Sequence, residues 1–254
     1  MRHFPGTVQG MIGLPDGITA CLFDLDGVLT GTAALHREAW KQTFDEFLRE
    51  RDGSGFRPFT EADYARHVDG RPRLDGVRTF LASRGIQLPE GDPDDAVTEH
   101  TVNGLGNRKN HLVLRIIAEK GPNPYAGSRR YLEAARDARL AIAVVTSSAN
   151  AQAVLDAAGF TPFVQARIDG LVITRDGLRG KPAPDSFLAG AKALGVDPAR
   201  AAVFEDALAG VEAGRAGKFG FVVGVNRANQ AAALRERGAD VVVDDLAELL
   251  GDKA

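Results

Sequence analysis

A chain of 254 residues, 44% hydrophobic and 26% charged, has room for one large core or for one core with a modest insertion, and is too apolar to be disordered. Its formal net charge of −3 offers no basic field to a nucleic-acid backbone. The single cysteine, Cys21, excludes an internal disulfide and a zinc–thiolate set, and no apolar run reaches the roughly 18 residues of a membrane helix.

Met1 to Asp16 is interrupted by Pro5, Gly6, Gly10, Gly13 and Pro15 and lacks the unbroken apolar stretch of a signal peptide, so a cytoplasmic protein is expected. Ala20-Cys21-Leu22-Phe23 is predicted to be a buried strand whose carboxyl end carries Asp24-Leu25-Asp26-Gly27. Helices are then predicted over residues 32–48, 61–68, 74–84 and 109–119, with loops at Gly53-Ser54-Gly55 and over 88–95 and no strand-like run. A helix over 128–138 leads into a strand over 140–145, which ends at Thr146-Ser147-Ser148. Helices over 149–158 and 184–194 precede a strand over 201–204 that ends at Glu205-Asp206. A helix over 208–216 and strands over 219–225 and 240–243 complete the chain. Apolar strands alternating with helices predict an α/β fold, a Rossmann-like parallel sheet with helices on both faces. Residues 1–31 and 123–254 form this core; residues 32–122 are read as a helical cap domain inserted over the carboxyl edge of the sheet, where ligands of such sheets bind.

Asp24 and Asp26, two apart at a strand end, share a side if the pleat persists. With Glu205 and Asp206 they would gather four carboxylates at one edge. A single like-charge pair about 4 Å apart costs about 1 kcal/mol in water and about 4 at an effective dielectric of 20. Cations must offset this, and hard carboxylate oxygens suit Mg²⁺, which takes a substrate phosphate as a further ligand. Lys181, ahead of Pro182-Ala183-Pro184, supplies a fixed positive charge. A carboxylate can attack a phosphoryl group to form an aspartyl phosphate. Asp24, which terminates the strand, is the candidate nucleophile; Asp26, on the turn, is the candidate general acid/base. Thr146 and Ser147 can donate hydrogen bonds to the transferring group, and the helix starting near Ala149 offers free amides to an anion. Plainer readings stand beside these: strand-end turn acids for Asp24 and Asp26, a helix cap for Glu205-Asp206 and a surface lysine for Lys181.

The four segments Asp24-Leu25-Asp26-Gly27-Val28-Leu29-Thr30, Thr146-Ser147-Ser148, Lys181-Pro182-Ala183-Pro184 and Glu205-Asp206-Ala207-Leu208-Ala209-Gly210 resemble, in order and spacing, the motifs of the haloacid dehalogenase-like superfamily of phosphotransferases. That resemblance implies a haloacid dehalogenase-like core with Asp24 as nucleophile and Asp26 as acid/base. It also implies a Mg²⁺ site of Asp24, Asp26 through its main-chain carbonyl, Glu205 and Asp206.

Within the superfamily the chain is most similar to the β-phosphoglucomutase family. Thr32-Ala33-Ala34-Leu35-His36-Arg37-Glu38-Ala39-Trp40 resembles the entry into that family's cap. Gly70-Arg71-Pro72-Arg73 resembles its substrate-specificity loop, and Asn107-Arg108-Lys109-Asn110 a later cap segment. The resemblance implies interconversion of β-glucose 1-phosphate and glucose 6-phosphate through glucose 1,6-bisphosphate. It places Thr32, His36, Trp40, Gly70 and Arg71 among the substrate-binding residues. A bisphosphate needs a second anion site, for which Arg73 is the best anchor, a guanidinium gripping phosphate in a fork, with Ser148 and Asn150 completing it. His36 and Trp40, four apart, also fit plain packing on one helix face, and Arg73 a solvated surface arginine.

The chain departs from the family at Ala149, where a lysine is usual, at Gly31, where an aspartate is usual, and at Asp69, where a lysine is common; Arg71 is the candidate to replace the missing basic contact. The loops around Gly53 and Gly91 also look longer than the family's. The alternative function is a phosphatase of a small sugar phosphate on the same scaffold, differing in its handling of water. A silent binding module is expected to lack one of Asp24, Asp26, Lys181 or Asp206, and all four are present. The expected partner is a small sugar phosphate, with no nucleic acid and no membrane, and a monomer is expected.

Overall fold

A computed structural model describes residues 12–251. The first eleven residues of the stretch read as lacking a signal peptide lie outside the described residues. The chain divides into two compact units, one holding the residues up to Gly31 and from Asn123 onward, the other Thr32–Pro122.

In chain order the first unit contributes β1 (Ala20–Phe23), and the second unit follows with α1 (Thr32–Asp52), α2 (Glu61–His67), α3 (Arg73–Ser83) and α4 (Val102–Lys120). The first unit resumes with α5 (Ala126–Asp137), β2 (Ala141–Val145), α6 (Ala151–Ala158), β3 (Ala166–Ile168), α7 (Gly170–Arg175) and α8 (Asp185–Ala193). It ends with β4 (Ala201–Glu205), α9 (Leu208–Ala216), β5 (Phe221–Val225), α10 (Ala231–Glu236) and β6 (Val241–Val243).

All six strands run parallel in the order β3-β2-β1-β4-β5-β6. The central strands are continuous apolar runs because both of their faces are covered. Leu22, Ala143, Val145 and Val203 pack with Phe187 of α8 in one cluster. Phe23 stacks on Phe204 with ring centroids 4.4 Å apart and meets the edge of Tyr131 of α5 at 6.1 Å. The second unit has its own aromatic core, in which Phe44 of α1 lies 4.1 Å from Phe80 of α3 and 5.1 Å from Trp40.

Three local expectations change. The fourth helix of the insertion, expected from residue 109, starts at Val102 as α4, capped by the Thr101 side chain accepting from the Gly104 amide. Gly104 and Gly106 disguise that first turn, since glycine is a poor helix former, but a Cβ at either would collide, with the Glu99 main chain or with Leu74. The helix expected from Ala149 begins at Ala151. The strand β3 and the short helices α7 and α10 were not expected. Among the described residues no helix is long and apolar enough to cross a membrane.

Candidate active site

The register of the sheet assembles the site in the first unit. Phe23 pairs with Val144 on one side and Phe204 on the other, so β1, β2 and β4 end nearly level. Asp24, Thr146 and Glu205 therefore leave the same edge, and the Asp24 amide still donates to the Phe204 carbonyl at 2.9 Å. Lys181 reaches into this edge from the loop ahead of α8. Its Nζ donates to Asp24 Oδ1 at 2.6 Å, to Glu205 Oε1 at 2.5 Å and to the Val145 carbonyl at 3.1 Å. Those bonds use all three ammonium protons. Lys181 is 2% exposed and Glu205 wholly buried, so Lys181 is no surface lysine.

Glu205 Oε2 accepts the Ala207 amide at 2.9 Å, just ahead of α9, so the capping reading and the site reading of this residue coexist. Asp24, Glu205 and Asp206 are all buried, and each presents a carboxylate oxygen within 4.8 Å of the others. Fully ionised, three carboxylates against one ammonium would leave two negative charges, the deficit one divalent cation would fill. The donors are oxygen only, which suits Mg²⁺. Two glycines make room for the cluster: a Cβ at Gly27 would overlap the Asp206 carboxylate, and one at Gly210 the Glu205 carboxylate.

Burial pushes the Asp24 carboxyl well above the ordinary range; Lys181 pulls it back, while Glu205 and Asp26 push it further up. Burial also opposes the charge on Lys181, but Asp24 and Glu205 outweigh it and hold the ammonium above its ordinary value. Without a cation, the folded chain therefore holds a proton on Asp24 more tightly than the unfolded chain does. That contribution to stability is full below the ordinary value of 3.8 and is lost as pH rises through the folded value. A cation bound there reverses the loss but competes with the proton. The rise in melting temperature on adding Mg²⁺, measured by calorimetry against EDTA, is expected to grow as pH rises. A rise independent of pH would count against Asp24 as a ligand.

Asp26 is half-buried, and its Oδ2 accepts from the Thr146 hydroxyl at 3.4 Å. Thr146 Oγ1 in turn accepts the Ser148 amide at 3.1 Å, and Ser148 Oγ accepts the Asn150 amide at 3.2 Å. The Thr146 hydroxyl thus links Asp26 to the loop that follows β2. Ser147, Ser148 and Asn150 are half-buried in the same loop.

The remaining candidates lie in the second unit. Thr32 is buried at the start of α1. His36 Nδ1 is 2.8 Å from the Nζ of Lys109, whose ammonium sits 5.1 Å from the Trp40 ring centroid. Lys109 is 5% exposed and is a residue whose role the sequence reading missed. Its signal is position: it takes a place on the apolar stripe of Leu105, Leu112, Val113 and Ile116. Trp40 packs in the aromatic core of the second unit and carries the Lys109 ammonium over its ring, so the packing reading holds. Gly70 has a φ of 72°, in the left-handed region, ahead of Arg71. Arg73 opens α3, with its Nε buried and lacking a hydrogen-bond partner.

A model of the haloacid dehalogenase-like hydrolase family matches residues 18–218. The chain belongs to the haloacid dehalogenase-like family. Its similarity extends beyond the matched segment: it is 55% identical over 255 residues to a β-phosphoglucomutase of Mycobacterium bovis, covering 98% of this chain and 97% of that protein. A β-phosphoglucomutase of Mycobacterium tuberculosis shows the same identity and coverage. Among solved structures, a β-phosphoglucomutase from Clostridium difficile superposes with a TM-score of 0.72 at 25% identity, covering 91% of this chain and 93% of that one.

For this member of the haloacid dehalogenase-like family, Gly27→Ala is expected to be damaging twice over. Gly27 has a φ of 97°, and its missing Cβ leaves the space the Asp206 carboxylate fills. A loss of about 1–3 kcal/mol from backbone strain is expected in urea unfolding, together with a weakened response to Mg²⁺. Unchanged stability and Mg²⁺ response would refute the close approach.

Proposed function

We propose that this chain is a β-phosphoglucomutase, interconverting β-glucose 1-phosphate and glucose 6-phosphate through glucose 1,6-bisphosphate. The observation that carries phosphoryl transfer is the buried Lys181 held between Asp24 and Glu205 at a strand edge short of two positive charges. Similarity to named mutases running through both units supports a mutase over a phosphatase.

In one half-reaction an Asp24 carboxylate oxygen attacks a phosphorus of bound glucose 1,6-bisphosphate, releasing a monophosphate. The bond from phosphorus to the sugar oxygen breaks, and that oxygen takes a proton from Asp26. In the other, a hydroxyl of the sugar attacks the aspartyl phosphate, gives its proton to Asp26 and releases the Asp24 carboxylate. Thr146 donates to Asp26 Oδ2 and steadies the side chain that handles that proton. Lys181 fixes the Asp24 carboxylate and lowers the cost of charge on it. Mg²⁺, held by Asp24, Glu205, Asp206 and the main-chain carbonyl of Asp26, would neutralise charge on the transferring group. We assign substrate binding to Ser147, Ser148 and Asn150 in the first unit, and to Thr32, His36, Trp40, Gly70, Arg71 and Arg73 in the second, with Lys109 added beside His36.

Phosphorus NMR of the chain with Mg²⁺, a trace of glucose 1,6-bisphosphate and β-glucose 1-phosphate tests this. Glucose 6-phosphate is expected; free phosphate in its place would mean a phosphatase. Arg73→Ala is expected to slow isomerisation about 10–100-fold, the worth of a charged hydrogen-bonded phosphate contact. Phosphorylation by acetyl phosphate, which has no second phosphate, should change far less. Equal losses on both would show that Arg73 is not the distal anchor.

A further inference from the structure

The loop after β5, residues 226–230, contributes none of the four motif segments, yet it grips two of them. Arg227 Nε donates to the carbonyl of Gly27, the residue after Asp26, at 2.8 Å. Gln230 Nε2 donates to the carbonyl of Asp206 at 2.9 Å. The loop is itself anchored to the end of β6. The Asn226 amide donates to the Val243 carbonyl at 2.8 Å, Asn226 Nδ2 to Asp244 Oδ1 at 2.8 Å, and Arg227 Nη1 to the Asp244 carbonyl at 2.8 Å. Asn226 Oδ1 accepts the Gln230 amide at 2.7 Å and closes the loop on itself. The Arg227 Cζ lies 3.8 Å from the Tyr125 ring centroid, and its Nη2 is buried without a hydrogen-bond partner. A guanidinium fixed between main-chain carbonyls and an aromatic face has little freedom left.

We infer that Arg227 is a positioning residue for phosphoryl transfer, holding the turn that carries Asp26, and that Gln230 does the same for Asp206. Four carbonyls of the turn from Asp24 to Thr30 are held, from Leu25 to Leu29. Leu25 O takes the amides of Leu29 and Thr30, Val28 O takes the Ser128 hydroxyl at 2.7 Å, and Leu29 O takes the Tyr125 amide at 3.1 Å. Gly27 O is the member of that series pinned by Arg227. Gly27 also abuts the Asp206 carboxylate, so a shift of its peptide moves the acid/base turn and disturbs the cluster together. Alignment of this kind acts on the transition state more than on the bound substrate, so its loss lowers kcat with KM little changed.

The inference rests on Asp24 accepting the phosphoryl group, but not on which sugar is used. The full-length chain with Mg²⁺ is therefore assayed with acetyl phosphate for transfer to Asp24, and separately with β-glucose 1-phosphate. Arg227→Met, with a wild-type circular dichroism spectrum, is expected to lose about 10–100-fold in the rate of transfer to Asp24, with KM within about twofold. Arg227→Lys, which restores one donor, should regain part of that loss. Gln230→Ala is expected to lose about 3–10-fold and carries the test if Arg227→Met does not fold. Folded variants that transfer at the wild-type rate, whatever their melting temperatures, would overturn the inference. A wild-type chain that acetyl phosphate does not phosphorylate would overturn the proposed chemistry itself; a phosphorylated one yielding no glucose 6-phosphate would overturn only the sugar assignment.

Discussion

Asp24→Asn is expected to abolish phosphoryl transfer, by about 10⁴-fold or more, and to leave the fold at least as stable as before. The amide matches the carboxylate in shape but cannot attack phosphorus. It also removes a charge that burial and the neighbouring acids disfavour. Lys181 keeps its bonds to Glu205 and to the Val145 carbonyl, so the ammonium is not stranded. At neutral pH in EDTA, calorimetry should show an equal or higher melting temperature, and the Mg²⁺-induced rise should shrink. A loss of more than about 2 kcal/mol would mean that the Asp24–Lys181 pair is a net source of stability, against the balance argued for this edge.

Lys181→Met carries the opposite sign. It leaves Asp24 and Glu205 buried with no cation between them. Removing one partner of a buried pair costs about 3–5 kcal/mol, against about 0–1 kcal/mol for an exposed pair. The loss should fall as pH is lowered, because a protonated Asp24 no longer needs the ammonium. Adding Asp24→Asn should recover part of it, giving a coupling of about 1–3 kcal/mol in a double-mutant cycle. Urea unfolding of the four proteins measures all of this. A cost that stayed constant with pH would show that Lys181 acts through packing on Phe187, 4.8 Å away, and not through charge.

How much of this was legible follows from the physics of each residue. The strands β1, β2 and β4 could be read because buried parallel strands are uninterrupted apolar runs, and the acids and hydroxyls of the site fall where those runs stop. Ala166-Arg167-Ile168 offered no such run: Arg167 pairs with Asp169 at 2.8 Å, and three residues hold too little pattern. Gly104 and Gly106 hid the first turns of α4 because their value is in close packing, which local propensity does not express. The burial of Lys109 was hidden because a lysine is ordinarily a surface residue; its place on an apolar stripe marks it, beside the family-like segment it belongs to. Arg227 and Gln230 act on main-chain carbonyls some 200 and 24 residues away, and no local motif encodes such bonds. The bond from Thr146 to Asp26 was not legible, since the direction of a hydroxyl proton depends on neighbours the sequence does not order.

The central claim is that the Asp24 side chain itself takes the phosphoryl group. Mixing the chain with Mg²⁺ and phosphorylated substrate, quenching in acid within the first turnover, reducing with borohydride and mapping the peptides by mass tests it most directly. The account expects the acyl phosphate, seen as its reduced alcohol, at position 24 and nowhere else. Product formed with position 24 unmodified, or the label found on a histidine or a serine, would contradict it.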